Sequence, residues 1–262
     1  MVEKQIRKGF LGRLTDQCID CIVTLVCWVW FTFGFILFFS WLYLAAALFS
    51  KHRELRFQQL NSYFYRVFFK IVKITCPSHT IHIDKEVEEI QSAVIVCNHL
   101  SYLDPLLLIA LFPRQKTIVK SRFFEMPIFG MIISRAGYLP DQGNGRFTRM
   151  MITQMENMGA YLKSGGNLFV FPEGTRSRDG KFGTLNKGAL KIARLCQAPI
   201  YVLQLQNTDK LFTPGKFFFN TRVANTISMK IIDCIKPDFI NNPPTTAELE
   251  QRVLQAYSGS QL

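Results

Sequence analysis

The stretch Ala93-Val-Ile-Val-Cys97-Asn98-His-Leu-Ser-Tyr-Leu-Asp104-Pro105 decides how this chain is read. Its first five residues are a continuous apolar run rich in β-branched side chains, which suits a short strand buried on both faces. A turn follows at once, with His99 and Asp104 five positions apart. Pro105 then fits the first turn of a helix running to Leu111, where its missing N–H leaves no hydrogen bond unmade. Strand, polar turn and helix in such close succession form one unit of an α/β domain, with the turn at the carboxyl end of the strand.

The same rhythm continues on both sides. Thr80-Ile-His-Ile-Asp84 alternates like an edge strand. Strands are predicted over Thr117–Lys120, Asn167–Phe171, Ile200–Leu205 and Ile227–Ile232, and helices over Pro127–Ser134, Arg146–Lys163 and Lys187–Cys196. A closing helix covers Thr245–Tyr257, with Thr245 as its cap. The predicted fold is α/β: a mainly parallel sheet flanked by helices, occupying residues 76–262. A second polar turn, Phe171-Pro-Glu-Gly-Thr-Arg176, also follows directly after a predicted strand.

Residues 1–75 are of another kind. No charged residue occurs from Ile22 to Phe49. As a helix these residues would extend about 42 Å, and a hydrocarbon core of roughly 30 Å needs only about 20 residues. A secretory signal cleaved near Ala45-Ala-Ala47 is the alternative, but the run far exceeds the roughly 7–15 residues of a signal's apolar region. Basic residues flank both ends, Lys4, Arg7, Lys8 and Arg13 before and Lys51, Arg53 and Arg56 after, so charge does not select an orientation. In the next stretch, apolar positions 57, 60, 64, 67, 68 and 71 share one helical face. Such a helix either lies at a lipid interface or packs on the domain as a core helix. The preferred reading is a helical pair anchoring residues 1–75 to the cytoplasmic leaflet, spanning it or dipping into it.

Composition agrees with a membrane setting. Lys and Arg outnumber Asp and Glu by 31 to 19, a formal charge of +12, and 48% of the residues are hydrophobic. That charge calls for an anionic partner, and the apolar N-terminus selects a membrane surface or anionic lipid over nucleic acid, for which no binding motif is present. Seven cysteines, an odd number, mostly lie in or beside apolar runs where a thiol acts as a small hydrophobe, which points to a reducing compartment.

The two polar turns carry the chemistry. Moving an acyl group from a thioester to an alcohol requires a base for the attacking hydroxyl, and histidine titrates near neutrality. A carboxylate on one ring nitrogen fixes the tautomer that leaves the other nitrogen free to accept a proton. His99 and Asp104 supply that pair if the turn folds them together. Ser101 sits between them, yet no G-x-S-x-G elbow exists, and the acceptor hydroxyl itself can attack. In the second turn, the planar fork of Arg176 suits a phosphate, Gly174 lets backbone approach a ligand, and Glu173 would bind a hydroxyl or brace Arg176. His79 and His82 stand three apart in a strand without further ligands, so no metal is expected.

The Asn-His-x-x-x-x-Asp and Phe-Pro-Glu-Gly-Thr-Arg motifs together resemble the glycerolipid acyltransferase family typified by 1-acylglycerol-3-phosphate acyltransferases. The resemblance covers roughly Ile90 to Leu205, and the apolar N-terminus is similar too. It implies His99 as general base, Asp104 as its orienting partner, and Glu173, Gly174, Thr175 and Arg176 as acceptor-binding residues. Lys120 matches a lysine that the family commonly uses near the acceptor phosphate. The implied donor is acyl-CoA or acyl-carrier-protein, the acceptor a lysophospholipid, and no cofactor or metal is required. Two departures stand out. The family's middle motif ends in Asp-Arg, whereas Gly137-Tyr-Leu-Pro-Asp141-Gln142 is one residue shorter and ends in Gln, leaving Arg146 as a substitute. Pro199 is present but Val202 replaces a second proline. The first departure keeps open an acceptor other than lysophosphatidate, such as an amino-acid lipid, or a non-catalytic membrane scaffold.

Overall fold

The structure, a computed structural model, describes residues 10–142, 145–172, 187–239 and 241–260. Helix α1 (Phe10–Val29) runs through a π-helical stretch (Trp30–Phe39) into α2 (Ser40–Phe49). Helix α3 (Arg53–Thr75) then folds back along them. Its direction shows in the contacts: the Tyr43 ring meets Phe57 at 5.2 Å, Trp30 meets Phe64 at 5.3 Å and Phe31 meets Phe68 at 4.8 Å. The domain continues with β1 (His79–Ile83), one-turn α4 (Lys85–Glu88), β2 (Val94–Cys97), α5 (Leu103–Leu111) and β3 (Gln115–Val119). After a 3₁₀ turn (Ser121–Glu125) come α6 (Phe129–Arg135), β4 (Leu139–Pro140), α7 (Arg146–Lys163) and β5 (Asn167–Val170). The chain closes with α8 (Gly188–Cys196), β6 (Ile200–Gln206), one-turn α9 (Thr208–Leu211), β7 (Asn225–Ile235) and α10 (Thr246–Gly259).

The seven strands stand in the order β1-β7-β6-β2-β5-β3-β4. Neighbours are parallel except β6 and β7, which pair antiparallel with a register shift at Val202/Leu203. Strand β2 lies between β6 and β5 with all four residues buried, as its unbroken apolar run requires. Successive side chains of a strand face opposite sides. Val94, Val96, Leu168 and Val170 therefore join one core with α7, α8 and α10, while Ile95, Cys97 and Phe169 join another. That second core contains Phe57, Phe64, Phe68 and Val72 of α3 and also Val23, Cys27, Phe39 and Tyr43 of the N-terminal helix. Each buried Phe contributes on the order of 1.5–3 kcal/mol relative to exposure. The N-terminal helices and the sheet thus share one hydrophobic core.

Most predicted elements appear within a few residues of their expected bounds. Thr245 caps α10 in a full capping box with Glu248, whose exposed carboxyl is held below its ordinary range by the Thr245 backbone and hydroxyl. Three elements were not anticipated, namely α4, β4 and α9, each too short to show a period. Of the expected anchoring pair, one continuous helix, Leu14–Phe49, is long and apolar enough to cross a membrane among the described residues. Helix α3 is a core helix. Its polar residues are spent inside the fold: Gln58 Nε2 donates to Ala136 O (2.8 Å), Ser62 Oγ to Ala110 O (3.0 Å) and Arg66 Nε to the same carbonyl (2.7 Å). Lys116, only 1% exposed, ties α3 to α7 by meeting Glu54 at 2.8 Å and Gln154 at 2.6 Å. All seven cysteines are free, including the Cys18-x-x-Cys21 pair early in α1.

His79 locks β1 to the segment before β7. Its Nε2 donates to the Asn220 carbonyl at 2.6 Å, so Nδ1 is the acceptor of Asn225 Nδ2 at 3.1 Å. His82, three residues on, points the other way and faces Asp84 at 3.5 Å, so the two histidines do not converge on a shared ligand. Burial, chiefly, depresses the His79 pKa below the ordinary 6.5. The unfolded chain then binds the extra proton first. The stability this neutral ring contributes is complete above about pH 6.5 and declines as pH falls toward the depressed folded value. The thermal midpoint should drop as pH is lowered from 7 to 5, and His79→Gln should flatten that slope in a calorimetric series.

Candidate active site

The turn after β2 is built around one carboxylate. Asp104, in the first turn of α5, is fully buried. Its Oδ2 receives His99 Nδ1 at 2.8 Å and the backbone N–H groups of Leu100 (2.5 Å) and Ser101 (2.7 Å), while its Oδ1 receives Thr208 Oγ1 at 2.5 Å. Acceptor-only oxygens surrounded by donors require a proton on His99 Nδ1. Nε2 then carries no proton and has no hydrogen-bond partner among the described residues, the tautomer that a general base needs. The imidazole stacks on Phe171 with centroids 4.4 Å apart, so β5 braces its face while 16% of the side chain stays accessible. The Phe171 that opens the second motif therefore also orients the His99 ring of the first.

The rest of the turn is scaffolding. Asn98 imitates one more rung of the sheet: Nδ2 donates to Leu205 O at 2.8 Å and Oδ1 accepts from Leu205 N at 2.7 Å. This pins the motif to the end of β6. Ser101 is completely buried and donates its hydroxyl to Phe212 O at 2.7 Å, which excludes it as a nucleophile.

His99 faces a cavity of about 1830 Å³. Lys120 and Arg122, both exposed, line it together with Asp141 and Gln142. Asp141 Oδ1 accepts from Ser121 N at 2.8 Å and Ser121 Oγ at 2.7 Å, thereby holding the turn that presents Lys120 and Arg122. Gly130 allows that turn to meet α6, because a Cβ there would lie 2.3 Å from the Phe124 carbonyl oxygen. Aromatic rings also line it, Trp28, Phe31 and Phe35 of the N-terminal helix together with Phe64 and Tyr65 of α3. Tyr43, Asn61 and Tyr138 add a polar spot, Tyr43 to Asn61 at 2.5 Å and Asn61 to Tyr138 at 3.3 Å, and burial chiefly pushes the Tyr138 phenol far up. Exposed cations, an accessible imidazole and aromatic walls in one cavity suit an amphiphile with an anionic head.

Of the predicted residues, His99, Asp104 and Lys120 are accounted for in this way. Arg146 opens α7, with its side chain outside the described residues, and Glu173, Gly174, Thr175 and Arg176 lie outside them altogether. Among the described residues, no group of three His, Cys, Asp or Glu side chains is arranged to hold a metal. Sequence reading missed Thr208 and Arg122. Thr208 stands 104 positions from Asp104, and a lone threonine after a strand carries no local signal of its partner.

The buried acid–histidine pair thus stands at the carboxyl end of a central strand and faces this cavity. The family model described as Acyltransferase matches residues 78–205 of the 262. Chloroplastic 1-acyl-sn-glycerol-3-phosphate acyltransferases resemble it, that of Brassica napus being 34% identical over 47% of this chain and 35% of its own length. The Arabidopsis thaliana protein is 35% identical over 47% of this chain and 34% of its own length, so the match spans about one third of these relatives. The crystal structure of the 1-acyl-sn-glycerophosphate (LPA) acyltransferase PlsC from Thermotoga maritima shares the fold, with a TM-score of 0.65 over 94% of this chain and 96% of that one at 18% identity.

Thr208→Val keeps shape but removes a donor from a fully buried carboxylate, and such a loss costs about 1–3 kcal/mol. The unfolding midpoint should fall accordingly, and turnover should fall with it as the carboxylate loosens its hold on His99. Wild-type stability in a denaturant titration would contradict this account of Asp104.

Proposed function

We propose that this protein is a membrane-bound O-acyltransferase that moves a fatty acyl group from acyl-CoA or acyl-carrier-protein to the free hydroxyl of a lysophospholipid such as 1-acylglycerol-3-phosphate. The observation that carries the reading is the His99–Asp104 bond of 2.8 Å, with Asp104 held by three further donors and His99 Nε2 unprotonated. The acceptor hydroxyl lies against Nε2 and loses its proton as its oxygen attacks the thioester carbonyl. A C–O bond forms, the tetrahedral intermediate collapses with cleavage of the C–S bond, and the imidazolium returns the proton to the departing thiolate. Lys120, and from the second motif Glu173, Gly174, Thr175 and Arg176, hold the acceptor head group, with Arg146 assisting. No cofactor or metal takes part in these steps. The acyl chain occupies the aromatic part of the cavity.

Residues 1–75 supply the membrane anchor, and the active site works from the cytoplasmic face. Ile22, Leu25, Val29, Phe33, Ile36 and Leu37 are all more than half exposed on the long helix. Helix α3 accompanies that helix over much of its length while its Arg56, Arg66, Lys70 and Lys73 are exposed. A perpendicular span would draw these charges toward hydrocarbon, which is costly. The packing therefore favours a helix lying in the plane of the leaflet with its apolar face down.

A second reading keeps the chemistry and changes the acceptor. Gln142, in place of the family's arginine, lines the cavity and offers no charge to a phosphate. An amino-acid lipid bound through its carboxylate would be served by the remaining cations. Labelled acyl-CoA offered with lysophosphatidate or with an amino-acid lysolipid separates the two. His99→Ala should lower turnover on the true acceptor by at least about 10²-fold, the usual contribution of a general base, while flotation with membranes persists. Undiminished turnover by that variant would refute the mechanism.

A further inference from the structure

Residues 212–224, leading from α9 to β7, carry a surface that acyl transfer does not use. At the tip, Gly215-Lys216-Phe217-Phe218 is exposed, Phe217 at 56% and Phe218 at 49%. The backbone behind these rings is well tied. Asn220 N–H donates to Leu211 O at 2.9 Å, and its side chain donates to Lys210 O and Thr213 Oγ1, both at 3.0 Å. The N-terminal helix clamps the returning limb. Asp20 Oδ1 accepts from Thr221 N at 2.8 Å and Thr221 Oγ1 at 2.6 Å, and Thr24 Oγ1 accepts from Phe219 N at 3.0 Å. Phe217 stacks on Trp28 at 5.8 Å and 12°, with Phe218 edge-on to it at 5.3 Å.

Two large rings are thus presented outward on an ordered loop, and exposed apolar patches of this sort mark interaction surfaces. What they would meet follows from their neighbours. Trp28, Leu25 and Val29 continue the patch onto the exposed face of the long helix, and Val223 extends it on the other side. Lys210, Lys216 and Arg222 surround it, Arg222 leaning toward Asp16 at 3.4 Å. Aromatic rings bordered by basic side chains suit the boundary between head groups and acyl chains of an anionic leaflet.

We propose that residues 215–218 form a second contact with an anionic phospholipid surface, level with the exposed face of the long helix and held there by Asp20 and Thr24. The inference rests on the membrane-bound reading above and adds a distant segment, tied to the long helix by Thr221 and Asp20, 201 positions apart. Thr213, Pro214 and Gly215 also line the cavity that His99 faces, so this contact sets the cavity mouth against the lipid.

Hydrogen exchange on the full chain tests it, in nanodiscs of phosphatidylcholine with and without phosphatidylglycerol. Amides 216–218 should exchange more slowly when phosphatidylglycerol is present, while the exposed turn of α4 is unchanged. Equal exchange at 216–218 in both discs overturns the proposal. Asp20→Ala should speed exchange at Phe219 and Thr221 and abolish the lipid-dependent protection at the tip; retained protection removes Asp20 from the account. The double variant Phe217→Ser/Phe218→Ser should lose about fivefold in turnover of disc-borne lysophosphatidate relative to its turnover in detergent, and an unchanged ratio again overturns the contact. Exchange reads lipid contact without any turnover, so a protein inactive on lysophosphatidate would refute the acceptor assignment and leave this test standing.

Discussion

The Asp104 carboxylate is the constraint on which the site depends. A charge completely removed from water is tolerable only when its lone pairs are met, and here four donors meet them from two parts of the chain. The β2–α5 turn supplies two backbone amides and the histidine, and α9 supplies the Thr208 hydroxyl. Removing any one loosens the others, because they share the same two oxygens. His99 inherits its tautomer, its orientation and its accessible nitrogen from this arrangement. The motif is thus a folding unit, with Asn98 holding its entrance to β6 and Ser101 holding its middle to Phe212.

The same economy applies to the N-terminal helices. The long apolar helix buries one face, with Val23, Cys27, Phe39 and Tyr43 in the core shared with α3 and the sheet, and leaves the other bare. Helix α3 lies between them, and its polar side chains bond to carbonyls of the α5 and α6 ends. Trp28, Phe31 and Phe35 consequently form part of the cavity wall instead of standing apart as a detached tether. An apolar surface and an active site are built from the two sides of one helix.

Much of this was legible in the chain. The β2 run and Pro105 announced their strand and helix because a fully buried strand and a helix first turn each have strong local signatures. Thr245 marked the start of α10 for the same reason. His99 and Asp104 were readable as a pair since only five positions separate them. Helix α3 was harder, because a basic amphipathic pattern serves equally for a lipid interface and for a half-buried core helix. Its buried Gln58, Asn61 and Ser62 decide the matter, through partners 48 to 78 positions away.

By itself the sequence determined the α/β class, the apolar N-terminus, the acid–histidine pair and the family resemblance, all of which rest on residues close together along the chain. Only the tertiary structure decided that Thr208 completes the Asp104 cage, that Phe171 stacks on the base, and that Asp20 and Thr24 hold a loop some 200 positions ahead. Each of these depends on which strands become neighbours, and the order β6-β2-β5 is set by packing across the whole sheet, where local periodicity carries no information.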